Sequence, residues 1–318
     1  MGIPNGDSFA GGQRYDDQTS KLLISDVCEK RYARDMLLMK NKIAGTSHQI
    51  YLQGIDLEKF EALGLKPNGK ESASSLQMRY LAQMYQKDPS VQTTVDGKSV
   101  FDSKKLLLKN IDVKAFGGIS TDTKDKKSPT SGPAQVTGPI QFAALNPSLI
   151  TVILRDHQNT SKFQSNISEN AQGAIATTQL VPFSINQVVG NVNPATALDT
   201  GLTEDEVILI VKALWNGVNN CRSRMKTGQD SRLFIKINYK DPFAKNAALH
   251  KLIKVTVPGS TEPREMEDVQ WDFSALAKFV AKDSVKNVEY IVEDELESIF
   301  NEQMKAVKNK LVPLSPEL

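Results

Sequence analysis

The segment that decides the fold is Arg232-Leu233-Phe234-Ile235-Lys236-Ile237-Asn238-Tyr239-Lys240. Leu233, Ile235, Ile237 and Tyr239 alternate with Arg232, Phe234, Lys236, Asn238 and Lys240. A period of two sends one set to a core and the other to the opposite face, so the segment predicts a half-buried strand. Upstream, Thr203-x-x-Glu206 has the spacing of a capping box, in which hydroxyl and carboxylate each satisfy an orphan N–H of a helix start. Asp205 adds negative charge at the positive end of the helix dipole. The helix that follows carries Ile208, Val211, Leu214, Trp215 and Val218. Downstream, Leu252 to Val257 predicts another strand, and helices are expected near 273–281 and 292–309. The last eight residues, with Pro313 and Pro316, read as a tail.

Toward the N-terminus, residues 1–24 read as loop. A helix is expected from Asp26 to about Lys42, with Asp26 and Glu29 as its capping box and Ala44-Gly45-Thr46 as its end. His48 to Gln53 predicts a strand. From residue 54 the pattern is helical with loops. Leu76, Tyr80, Leu81 and Tyr85 fall at helical spacing within Ala73 to Gln86, and a short helix is expected over Ser103 to Asn110. Residues 119–134 have loop composition. Val136 to Phe142, Ile150 to Leu154 and Leu180 to Val189 predict strands. The polar stretch 155–179 fits an exposed hairpin or a long functional loop. Helix, strands, helix and strand in this order predict an α+β fold built on an antiparallel sheet, with a helical insertion and a hairpin insertion.

Composition narrows the class. The chain has 318 residues, 40% hydrophobic and 24% charged, with a net charge of +2. No apolar run approaches the roughly 20 residues of a membrane span. The N-terminus has no apolar segment of the secretory kind, so the cytoplasm is the expected location. Cys28 and Cys221 stand far apart, which argues against a disulfide framework or a Cys-x-x-Cys zinc site. His48, His157 and His250 have no metal-like spacing. No Gly-x-Gly-x-x-Gly, Walker loop or Gly-x-Ser-x-Gly elbow is present, so no cofactor, metal or catalytic residue is expected.

Charge is distributed unevenly. Lys212, Arg222, Arg224, Lys226, Arg232, Lys236 and Lys240 face a single acid, Asp230, across that span, whereas Glu293 to Glu302 is acidic. A local basic patch bears on phosphate binding more than the net sum does. Lys30, Arg31 and Arg34 share one face or its edge on the first helix. Each cluster, alone, fits a solvated face as well as a phosphate grip. Phe234 on a basic strand resembles a base-stacking platform, although a covering helix would explain it equally.

Several segments together resemble a family. Pro4-Asn5-Gly6-Asp7 and Ser25-Asp26-Val27-Cys28-Glu29-Lys30-Arg31-Tyr32-Ala33-Arg34-Asp35 are similar to the Asn-Pro-Asn-Gly-Asp and Thr-Asp-Val-Cys-x-Lys-Arg-x-x-Arg-Asp segments of CRISPR guide-RNA backbone subunits, the DevR-like RAMP family. Asp112-Val113-x-x-Phe116-Gly117 resembles its Asp-Val-Arg-x-Phe-Gly. Thr137-Gly138-Pro139-Ile140-Gln141-Phe142 resembles its Thr-Gly-Pro-Val-Gln-Phe. Thr200 to Asp205, Ala213 to Gly217 and Gly228 to Arg232 resemble further family segments. The matches are collinear, and type I-B is the branch they resemble most.

The resemblance implies a hand-like subunit. A ferredoxin-like, RNA-recognition-motif-like palm would comprise 1–53, 137–153 and 181–318. Helical fingers would occupy 54–136 and a hairpin thumb 154–180. Such subunits stack helically along CRISPR RNA (crRNA), hold its phosphates and present its bases to target DNA. Implied partners are further copies, a large subunit, a subunit capping the 5′ handle, and small subunits. Lys30, Arg31 and Arg34 would be phosphate contacts, joined by Arg14, Lys21 and Ser25 and by Arg222, Arg224 and Lys226. Two departures stand out. The chain starts at the Asn-Gly-Asp motif, where the family has a preceding palm strand. Thr177-Thr178-Gln179 replaces a Gly-Arg-Lys, so Arg155 and Lys162 are the expected substitutes.

Three functions fit these residues: a non-catalytic crRNA scaffold in antiviral defence or RNA-guided transposition, an RNA-cleaving relative using Asp156 beside His157, and a general single-stranded RNA binder.

Overall fold

Ser25 ends one strand and caps the helix that follows it. Its Oγ accepts from the Cys28 N–H at 3.3 Å, so the cap lies one residue before the expected Asp26. Asp26 instead accepts from Lys30 Nζ one turn on. The helix runs Asp26–Ala44 and stops at Gly45, whose φ of 66° suits a residue without a Cβ. The computed structural model containing it describes residues 2–7, 12–54, 56–66, 72–95, 97–122, 129–161, 174–221, 223–259 and 262–318. Two units divide the chain: Met1–Tyr32, Phe142–Val189 and Leu214–Leu318 form the first, Ala33–Gln141 and Gly190–Ala213 the second. Residues 33–53, 137–141 and 190–213, assigned by the sequence to the palm, thus fall in the second unit.

In the first unit, Leu233–Tyr239 is a strand as expected, antiparallel to Val285–Val292 with Ile235 opposite Tyr290 and Ile237 opposite Val288. Leu233, Ile235, Ile237 and Tyr239 pack on a core of Phe273, Leu276, Val280, Leu296 and Phe300, supplied largely by the helices Ser274–Val280 and Asp294–Met304. Lys236 and Asn238 lie on the other face, where Lys236 pairs with Glu289 at 2.9 Å and Asn238 donates to Asn287. The expected C-terminal tail is corrected: Leu311–Pro313 adds a parallel third strand, with Val288 opposite Leu311.

A second sheet corrects the reading of residues 1–24 as loop. Tyr15–Asp16, Lys21–Ser25 and Leu145–Pro147 pair antiparallel, and Leu22 and Ile24 are buried. Lys254–Thr256 pairs with Gln270–Asp272. The polar stretch forms a hairpin, Arg155–Ser161 against Ala174–Leu180, with His157 opposite Thr178. Residues 162–173 lie outside the described residues. Ile150 and Val152 are buried, yet Ile150 to Leu154 is no strand, because its backbone bonds go elsewhere: Val152 N–H donates to Ser20 O. Leu180 to Val189 continues past the hairpin only through isolated bridges at Val181 and Asn186.

In the second unit, the helix Ala73–Met84 is capped by Ser72 and packs Met78 and Leu81 against Tyr51, Leu106, Leu107, Val113 and Val136. The expected helix over 103–110 ends at Leu107. His48 to Gln53 is not a strand. Asn41 holds its start, accepting from His48 N–H at 2.9 Å, and Asp112 holds its middle. Gly117–Ser120 pairs with Ala134–Thr137, so both ends of the 119–134 stretch read as loop are strand; residues 123–128 lie outside the described set. The two strands meet so closely at Gly117 and Gly138 that a Cβ on Gly138 would collide with the backbone of Ala115, Phe116 and Gly117. The Thr203 capping box forms in both directions: Thr203 N–H donates to Glu206 Oε2 at 2.9 Å and Glu206 N–H to Thr203 Oγ1 at 3.2 Å.

Candidate nucleic-acid interface

The residues expected to hold phosphates occupy very different surroundings. In the first unit, Asn5 organises the start of the chain. Its N–H donates to Gln13 Oε1 at 2.9 Å, its carbonyl accepts from Arg14 N–H at 2.9 Å, and its Oδ1 accepts from Ser25 N–H at 2.6 Å. These bonds join the Asn-Gly-Asp segment to the strand-helix junction at Ser25, which explains why a carboxamide stands at that position. The sequence reading quoted Asn5 within the Pro4-Asn5-Gly6-Asp7 segment but gave it no role of its own.

Arg14 faces Asp7 at 3.3 Å, and its Nε is buried without a hydrogen-bond partner among the described residues. Lys21 opens its strand opposite Asp16, half-buried. Lys30 donates to Asp26 Oδ2 at 2.8 Å. Arg31 is exposed on the helix, and Arg224 is exposed in the turn that follows the second long helix, Glu204–Asn219. Arg155, at the base of the hairpin, is bidentate to Glu262 at 2.7 and 2.8 Å. That pairing raises the guanidinium's pKa and lowers the carboxylate's. Arg222 and Lys162 lie outside the described residues.

Lys226 turns toward protein. Its Nζ donates to Tyr32 Oη at 2.8 Å and lies 4.6 Å from the centroid of that ring. The phenol donates in turn to Gln229 Oε1 at 2.9 Å or to Pro4 O at 3.3 Å. Burial pushes the Tyr32 phenol up, and it pushes the Glu29 carboxyl up to about 7 against the opposing pull of Lys226. Because Ser25 is the cap and Cys28 the third residue after it, Glu29 stands one position too far along to complete the expected capping box. Gly217 packs so tightly on Tyr32 that a Cβ there would meet the Tyr32 carbonyl.

In the second unit, Arg34 lies inside and braces the fold. It is 7% exposed, and its Nε donates to Asp112 Oδ2 at 2.9 Å. Asp112 also accepts from Tyr51 N–H at 2.8 Å and Leu52 N–H at 3.1 Å. A buried carboxylate with this many donors is satisfied, and so is the guanidinium beside it. The guanidinium also lies 5.5 Å from the Phe116 ring. Lys114 of the same short helix reaches Glu206 Oε2 at 2.7 Å. The Asp-Val-x-x-Phe-Gly segment was thus a signal for a structural anchor.

The pair Asp156 and His157 occupies successive positions of one strand, so their side chains leave on opposite faces and do not form a dyad with each other. Among the described residues no three His, Cys, Asp or Glu side chains gather as a metal-ligand set. Among them, too, no helix is long and apolar enough to cross a membrane.

Comparison with known proteins decides the family. Residues 1–274 match the family described as CRISPR-associated protein Cas7. The chain belongs to the Cas7 family. A Cas7 protein of Haloferax volcanii is 24% identical over 291 residues, covering 86% of this chain and 78% of the relative. A chain of a solved assembly described as a CRISPR RNA-guided surveillance complex, pre-nicking, superposes with a TM-score of 0.47 and 12% identity, covering 96% of this chain and 94% of that one.

Proposed function

We propose that this Cas7 chain is a non-catalytic backbone subunit of a CRISPR RNA-guided surveillance complex, of the DevR-like type I-B branch. It polymerises along crRNA in the cytoplasm and presents the RNA bases to target DNA. Family membership across residues 1–274 is the observation that carries this reading. The palm is the ferredoxin-like, RNA-recognition-motif-like body, the 54–136 insertion forms the fingers, and the Arg155–Leu180 hairpin is the thumb. Further copies, a large subunit, a 5′-handle-capping subunit and small subunits complete the assembly, which serves antiviral defence or RNA-guided transposition.

Within this reading the cations take different roles. Arg31 and Arg224, both exposed, are the foremost phosphate contacts. Lys21 and Ser25 adjoin the helix start, and Lys30 exchanges Asp26 for a phosphate when RNA arrives. Arg14 and Arg155 can contact phosphate by the same exchange from Asp7 and Glu262. Arg34 and Lys226 shape the surface from inside. Exposed cations release condensed counterions on binding RNA, so affinity falls steeply with salt. Titration of a fluorescent crRNA at several salt concentrations tests the proposal. Tight binding with a steep negative salt slope and no RNA cleavage supports it; cleavage of the guide, or binding indifferent to salt, overturns it.

A further inference from the structure

Cys28, Tyr32 and Lys226 meet at one place in the first unit, and the proposed RNA contacts leave Cys28 unused. Lys226 Nζ lies 3.4 Å from Cys28 Sγ. The amine is held there by the Tyr32 hydroxyl at 2.8 Å and by the ring face below it. Because the phenol proton has acceptors in Gln229 and Pro4, the phenol oxygen can receive the lysine N–H. Cys28 Sγ is oriented from its other side by Pro4 O at 3.8 Å. Glu29, beside Cys28 on the same helix, is half-buried and feels the charge of Lys226.

A thiol and an amine held 3.4 Å apart can be joined through a single bridging atom. We propose that Cys28 and Lys226 form a sulfur–oxygen–nitrogen bridge when the protein meets molecular oxygen. The S–H bond of Cys28 and one N–H bond of neutral Lys226 break, and an S–O and an O–N bond form. Sulfur and nitrogen each lose two electrons. Dioxygen takes all four, one oxygen atom staying in the bridge and the other leaving as water with the two hydrogens. An excess of dithiol returns four electrons and four protons and restores thiol, amine and a second water. The bridge pins the Asp26–Ala44 helix to the turn that carries Arg224 and Lys226. It places a modification site where the thiol alone would be an inert, partly buried side chain.

The test is intact-mass and peptide-mapping spectrometry of the full chain, equilibrated with oxygen and compared with the same protein kept in dithiothreitol. The expected product gains one oxygen and loses two hydrogens, reverts in dithiothreitol, and maps to joined peptides containing Cys28 and Lys226. Cys28→Ser and Lys226→Arg each abolish it, and Cys221→Ser leaves it intact. Mapping the unaltered chain keeps the test decisive if a variant misfolds. Addition of whole oxygens to Cys28 alone, a disulfide between Cys28 and Cys221, or no adduct under oxygen would each overturn the proposal.

Discussion

Arg34 Nε donates to Asp112 Oδ2 at 2.9 Å, and the two side chains are 8% and 1% exposed. The pair ties the Asp26–Ala44 helix to the start of the Ile111–Phe116 helix and, through Asp112, to the backbone of Tyr51 and Leu52. Removing one member of such a pair leaves a buried charge without compensation. Arg34→Met is expected to lower unfolding free energy by about 3–5 kcal/mol in urea titration. Undiminished stability with lost RNA affinity would return Arg34 to the surface role.

The exposed cations behave in the opposite way. Arg31→Glu and Arg224→Glu are expected to lower the melting temperature far less than Arg34→Met does. Each is expected to weaken crRNA binding and to reduce the slope of log affinity against log salt by about one per lost contact. An unaltered slope in both variants would remove them from the interface.

Glu29 gives a pH dependence whose sign can be stated. Its carboxyl titrates at about 7 in the folded chain, above its ordinary value of 4.5. The folded state therefore binds the extra proton between these values, and stability declines as pH rises from about 4.5 through about 7. Glu29→Gln keeps the shape and cannot ionise. Its stability curve is expected to lack that decline, measured as the difference from wild type across the window. Parallel curves would show that Glu29 is ionised without penalty.

Gly217 faces the Tyr32 backbone with no room for a side chain. Gly217→Ala is expected to destabilise by about 1–3 kcal/mol through overpacking. Gly228→Ala, where a Cβ meets open space, serves as the control and is expected to be near neutral in the same thermal melt.

Where local pattern and final packing agree, the fold could be read from the chain. The Leu233–Tyr239 strand, the Thr203–Glu206 capping box and the pairing of Arg155–Ser161 with Ala174–Leu180 are of this kind, because their signals are short-range. Its partner Val285–Val292 was missed for a physical reason. Its most buried residues, Val285, Val288 and Ile291, recur every three positions, and the pairing register shifts between Asn238 and Tyr239, so alternation is broken. Leu311–Pro313 is too short for a period to be seen, and it ends on proline. The internal partners of Arg34 and Lys226 could not be read from the chain, because charge alone reads as exposure. Their partners, Asp112 and Tyr32, lie 78 and 194 residues away in sequence, and only the folded chain brings them together. Arg31, by contrast, is exposed as its position on the helix implied.

Mass photometry of the purified chain with crRNAs of two lengths tests the scaffold role most directly. The expected result is a ladder of integer multiples of 35.1 kDa on a single RNA, with more rungs on the longer guide. One chain per RNA whatever its length, or no complex at all, would contradict it.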